Sequence, residues 1–397
     1  MTGTREEPDK PKSSRFARRS FLASSAAVAA AAAGPAVAAE HGTAGPEGAP
    51  PDVAPPGWPL DWPPALPGSV AQLLAVPGTA RDIDWLRSSL QTAVAIELST
   101  IPPYLCGWWS VKDRKSEAAV LIRRVVGDEM YHLGVVCNLL VAVGGRPRIK
   151  EAAPAYPTPL PGGVRAGVQV YLSGLTRPFV HDVMMAIEAP ETPLTRSGQK
   201  SPTVGDFYEE LLRAFRRTKP ALTSRGQLSS RIGSDVLEPV GDLDGVERSI
   251  EIVKEQGEGT TSSPDDTFGD DGPAHYYAFG EIYHGRRVRD SGGDWGFTGS
   301  PVPFPEAHPM ARVPAGGWPD PPARVRRLLD QFDTTYNTVL ENLDEAWNGG
   351  GADALNSAVR AMRAMEAPAV QLMEIALPDG AGHYGPQFRV CSNGCDS

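Results

Sequence analysis

Two segments of this chain share the pattern Glu-x-x-His: Glu129-Met130-Tyr131-His132 and Glu281-Ile282-Tyr283-His284. A three-residue step turns a helix by about 300°, so the carboxylate and the imidazole leave the same face. Glu129 and His132 continue the apolar register of Ile122, Val125, Val136 and Leu140, while Glu281 and His284 continue that of Tyr277 and Val288. Glu97 interrupts a third apolar stripe, formed by Ile83, Leu86, Leu90 and Val94. Burying so many ionisable groups is costly unless they are paired or bind a cation. The pattern therefore constrains the chain to a helical core built around a metal centre.

Helical periodicity sets the expected elements. Helix one runs from about residue 83 to Trp109, and Pro102-Pro103 should kink or break it because proline lacks the backbone donor. Helix two spans about 116–143 and stops at Gly144-Gly145 and Pro147. Residues 150–175, rich in Pro and Gly, read as an extended crossover. Further helices are expected at 176–188, 202–218, 243–257 and 273–288, then a C-terminal hairpin of 322–347 and 352–377. The fold class is all-α, a four-helix bundle with a long crossover and additional C-terminal helices. The bundle should occupy 68–298 and the hairpin packed on it 299–390, with 391–397 as a tail.

The first 39 residues read as a removable export signal: Arg18-Arg19 before Ser20-Phe21-Leu22, then an Ala-rich run ending at Ala36-Val37-Ala38. The arginine pair resembles a twin-arginine signal, which implies an extracytoplasmic location and export of a folded protein. Residues 40–67, dense in Pro, Gly and Ala, form a linker. No later segment is expected to cross a membrane. The net charge of −10 and the lack of a basic run beyond the leader argue against a nucleic-acid partner. Cys391 and Cys395 could form a local disulfide, whereas Cys106 and Cys137 read as buried thiols.

A Glu from each of two helices and Glu-x-x-His from each of the other two is the ferritin-like di-metal arrangement. On that pattern Glu97, Glu129, His132, Glu281 and His284 are ligands, and one carboxylate remains to be found. Glu258, flanked by glycines, is preferred, with Glu188 and Glu255 as alternatives. Mixed oxygen and nitrogen ligation suits two iron ions, or manganese. Tyr104 and Trp108 could line a substrate pocket beside the kink.

The chain also resembles the ferritin-like domain of the iminophenylpyruvate dimer synthases of violacein- and rebeccamycin-type pathways. The resemblance rests on Ala95-Ile96-Glu97-Leu98-Ser99-Thr100-Ile101-Pro102, Asp128-Glu129-Met130-Tyr131-His132-Leu133, Gly144-Gly145-Arg146-Pro147 and Ile187-Glu188-Ala189-Pro190. Phe207-Tyr208, the stretch from Glu255 to Thr260, Ala274-His275-Tyr276-Tyr277 and Gly385-Pro386-Gln387-Phe388 extend it over about residues 82–390. It implies a ferritin-like bundle with extra helices and an oxidative coupling of two imines derived from an aromatic amino acid. Two functions follow as expectations. One is a di-metal oxidoreductase acting on a small organic molecule with dioxygen or peroxide. The other is metal sequestration or peroxide scavenging without an organic substrate.

Overall fold

The computed structural model describes residues 69–165, 167–190, 203–258, 272–292 and 295–390. The expected signal and linker, and the tail carrying Cys391 and Cys395, lie outside the described residues. Short α1 (Val70–Ala75) leads into α2 (Ile83–Ser110), which Asp82 caps by accepting from the backbone N–H groups of Asp84 and Trp85.

The break expected at Pro102-Pro103 does not occur: α2 continues through both prolines. Pro103 cannot donate to the carbonyl of Ser99, and the Tyr156 hydroxyl takes that carbonyl instead at 2.8 Å. The crossover thus replaces one of the two helical bonds that the prolines remove. Nearly every residue of α2 is buried, as expected of a helix apolar on all faces.

Antiparallel to α2 lies α3 (Glu117–Ala142), capped by Ser116, with Gly144 at φ 73° just beyond its end. By length and composition α3 could cross a membrane, contrary to the expectation, yet it is a core helix carrying buried Asp128, Glu129 and His132. After α4 (Ile149–Ala152) and a two-residue ribbon in the crossover, α5 (Arg177–Phe179) runs through a π-turn (Val180–Met185) into α6 (Ala186–Glu188). Next come α7 (Val204–Thr218), α8 (Leu243–Glu258) and α9 (His275–His284). The last is shorter than the expected 273–288, because Gly285 adopts φ 74° and closes it by donating to the Glu281 carbonyl at 2.9 Å.

Finally α10 (Ala323–Glu345) and α11 (Gly351–Met373), joined by a second π-turn (Ala346–Gly350), pack on each other, with α11 also against α2. Asp344 accepts from the Ile149 backbone N–H at 2.5 Å, and the Trp347 indole donates to Asn138 at 2.9 Å, which ties the hairpin to α4 and α3. The core of Leu86, Leu90, Ile122, Phe179, Phe207 and Phe279 is continuous beneath these helices. Each such side chain contributes roughly 1.5–3 kcal/mol on burial. Cys106 and Cys137 are buried free thiols.

Candidate metal centre

Three carboxylates and two imidazoles converge between α2, α3, α6 and α9. They form two groups that share one member: Glu97, Glu129 and His132, and Glu129, Glu188 and His275, in each of which the candidate ligand atoms lie within 4.8 Å of one another. Atoms bound about 2.1 Å from one ion lie roughly 3–4 Å apart, so this spacing fits a shared cation. His132 Nδ1 is 3.6 Å from Glu97 Oε2 and 3.8 Å from Glu129 Oε1. His275 Nδ1 is 2.8 Å from Glu129 Oε1 and 3.8 Å from Glu188 Oε2. The two rings lie 5.5 Å apart, tilted by 27°.

Each of the five groups has its outward atom held by a neighbour. Tyr208 donates to Glu97 Oε1, Thr100 to Glu129 Oε2 at 2.7 Å, and Tyr104 to Glu188 Oε1 at 2.6 Å. Gln256 Oε1 lies 2.8 Å from His132 Nε2, and Asp128 Oδ2 lies 3.3 Å from His275 Nε2. Because Gln256 Oε1 and the Asp128 carboxylate accept, both imidazoles carry their proton on Nε2 when neutral. The Nδ1 lone pairs then face carboxylate oxygens, an arrangement that requires a cation or a proton between them. His275 Nδ1 is fully buried and out of line for a hydrogen bond with Glu129 despite its proximity, so it has no hydrogen-bond partner among the described residues.

The electrostatics without a cation express the same conflict. Burial and the neighbouring Glu188 push Glu129 up to about 7, against the opposing pull of the two histidines. Burial pulls His132 down, but Glu97 and Glu129 outweigh it and raise the imidazole to about 9. His275 is likewise raised by Asp128, Glu129 and Glu188 against its own burial.

Of the residues singled out from the sequence, Glu97, Glu129, His132 and the alternative Glu188 meet at the site, and Tyr104 lies against it. Glu281 and His284 do not. Glu281 is buried but bound by the Arg287 guanidinium at 2.7 Å and the Val288 N–H at 2.9 Å, which fasten the turn after α9. His284 is exposed and stacks on Phe297 with centroids 4.3 Å apart. Trp108 lies on a different wall from the cluster. The side chain of Glu258 is outside the described residues, and Glu255 belongs to neither group.

His275 is the ligand candidate that the Glu-x-x-His pattern missed. The inward stripe of α9 is His275, Ala278, Phe279 and Ile282, at helical spacing of three and four, and His275 was legible there as its first member.

The family model described as ferritin-like matches residues 90–284, a span that contains all five groups. A solved structure of a ferritin-like protein from Caulobacter vibrioides matches with a TM-score of 0.54 at 21% identity, covering 77% of this chain and 97% of that one. No protein of curated function matches the sequence. The helices, the matched span and the structural likeness agree that this chain has an all-α, ferritin-like fold with buried Glu and His groups able to hold a metal ion.

Proposed function

We propose that the chain is a non-haem di-metal protein, in which Glu97, Glu129 and His132 would hold one ion and Glu129, Glu188 and His275 the second. One observation carries this reading: every candidate ligand has its outer atom held by a neighbour and its inner atom within 4.8 Å of those of its own group. Such outer partners set tautomer and orientation at metal sites. The oxygen-rich, two-nitrogen donor set favours iron, with manganese next. Bound there, a redox-active pair would supply one-electron chemistry toward dioxygen or peroxide.

The protein's own contribution is a small, buried site whose ligand candidates are held in place by their neighbours. Among the described residues the cavity beside the cluster is about 40 Å³, enough for a few atoms and not for an amino-acid-sized molecule. That size favours metal handling coupled to dioxygen or peroxide over oxidation of a bulky substrate. A second reading, oxidative coupling of imines as in the dimer synthases, draws on a different observation. The motifs that carry that resemblance supply Glu97 and Thr100, Asp128, Glu129 and His132, Glu188, Tyr208, Gln256 and His275, all at this site. The proposed twin-arginine export fits either reading, since a metal loaded before translocation would travel inside a folded protein.

The test is elemental analysis of protein purified without metal-affinity steps, followed by anaerobic Fe(II) titration and oxygen or peroxide addition. Two ions per chain in the wild type, reduced in His132→Ala and His275→Ala but retained in Glu281→Ala and His284→Ala, is the expected pattern. A wild type that takes up neither iron nor manganese sinks the proposal. Peroxide turnover without added organic substrate selects the first reading, and turnover only with an aromatic imine selects the second.

A further inference from the structure

A separate cavity of about 690 Å³ lies between α2, α3, the turn of residues 230–234 and the α10–α11 hairpin, and none of the five clustered groups lines it. Its volume falls within the roughly 300–1,000 Å³ of small-molecule sites. The α2 wall extends from Leu98 to Trp109, which at the helical rise is about 16 Å.

One end of the cavity is formed by Leu98, Leu133 and Leu343, near Trp347, whose indole is already satisfied by Asn138, and the turn of residues 230–234 closes it against α3, with Arg231 there donating to the Ser234 carbonyl at 3.3 Å. Toward the other end, where Tyr336 packs against Phe388 at 5.0 Å and Phe388 stacks on Trp109 at 6.2 Å, two donors are orphaned: the Tyr336 hydroxyl and the Trp108 indole Nε1 are buried with no hydrogen-bond partner among the described residues. Tyr336 is only 3% exposed. Buried donors of this kind are nearly always bonded, so what the wall lacks is an acceptor.

The same end is cationic. Arg123, on the first turns of α3, stands level with the last turns of antiparallel α2, and Arg363 lies one turn before Glu366, which pairs with Arg114 at 3.2 Å beside Trp108. Arg123 and Arg363 are exposed on the cavity edge and make no ion pair with the described residues. The two acidic groups on the wall are already matched, Glu366 by Arg114 and Asp128 by Arg124 at 3.7 Å.

We propose that this cavity binds an elongated apolar carboxylic acid of the fatty-acid class. The chain lies along α2 toward Leu98, and the carboxylate accepts from Tyr336 and Trp108 at the arginine-bearing end. The proposal stands whether or not the metal centre holds metal, although Asp128 borders both sites, lining the cavity and holding His275.

Calorimetric titration with dodecanoate below its micelle concentration, with cavity tryptophan fluorescence as a second readout, tests it. Saturable binding of one molecule per chain is expected, with dodecanol at least about tenfold weaker because a charged acceptor bonds more strongly. Tyr336→Phe keeps the wall's shape and should weaken dodecanoate about tenfold, and Arg363→Gln should weaken it with no change in helicity. Val359→Trp, at a half-buried lining position, should block it. The proposal is overturned by the absence of saturable binding, by equal affinity for dodecanol, or by tighter binding of 3-phenylpropionate. Binding unaffected by both Tyr336→Phe and Val359→Trp would mean adsorption to the surface and would overturn it equally.

Discussion

Replacing Glu129 by Gln should remove the metal and stabilise what remains. Glu129 is the one member common to both groups, so its loss should abolish both sites, whereas His132→Ala and His275→Ala should each remove one ion first. Without metal the same change relieves a buried charge. Glu129 is raised from 4.5 to about 7 by burial and by Glu188. At about 1.4 kcal/mol per pH unit the difference is on the order of 3 kcal/mol. The sign follows from a folded value above the unfolded one. Below about 4.5 both states are protonated and the carboxylate costs nothing. The cost grows between 4.5 and 7, and above 7 it is fully present. A glutamine fits the surroundings, its carbonyl accepting from Thr100 and its amide facing His275 Nδ1. In chelator at pH 8 the variant should therefore melt several degrees above the wild type, with the gain gone near pH 4.5. Metal at a hundred times its dissociation constant should add about 2.7 kcal/mol to the wild type and nothing to the variant, bringing the two curves together or reversing them. Calorimetry with and without metal, beside elemental analysis, measures both effects. A variant that keeps two ions, or one that is less stable than apo wild type at pH 8, refutes the reasoning.

Gln256→Ala leaves all five inward atoms in place and frees the His132 ring together with the Asp235 carboxylate, so equilibrium dialysis should show metal affinity lower by about 10–100-fold with an unchanged ion count at saturation. Tyr156→Phe should lower stability by about 1–3 kcal/mol in urea, because the Ser99 carbonyl released by Pro103 loses its acceptor role in a buried helix. Asp333, raised to about 6 chiefly by burial and held by Gln387 and the Arg389 N–H, should make the protein less stable as pH rises from about 4 to 6. Asp333→Asn should flatten that part of the stability–pH profile, worth on the order of 3 kcal/mol before any change in hydrogen bonding.

Much of the helical plan was legible because caps and stops are local. Ser116 before α3 and Gly144 after it mark ends by backbone chemistry that needs no tertiary partner, whereas Gly285, an equally local stop, was passed over in the expectation of a helix to 288. The continuity of α2 was not legible, since it depends on Tyr156, more than fifty residues away, reaching a carbonyl that Pro103 vacates. Within the site, the Glu129 and His132 pair was visible as two ionisable groups on one apolar stripe. The second Glu-x-x-His misled for an equally physical reason. Glu281 is as buried as a ligand would be, but its charge is matched by Arg287 and the Val288 N–H, in a turn whose path the local pattern does not encode.

The placement of His275 follows from where α9 begins. Six residues separate His275 from Glu281, a rotation of about 600°, or 240° net, so one straight helix cannot turn both toward the same centre. The apolar partners decide between them. Ala278, Phe279 and Ile282 face the core with His275, and Tyr104 packs edge-on against Phe279 at 4.9 Å, while the same Tyr104 donates to Glu188. Packing thus fixes the roll of α9, and that roll carries His275 to Glu129 and Asp128 and turns Glu281 toward Arg287. A motif of two residues on one face states only that they point together. The hydrophobic contacts of the whole helix determine toward what, and here they select the histidine at the first turn over the pair at the last.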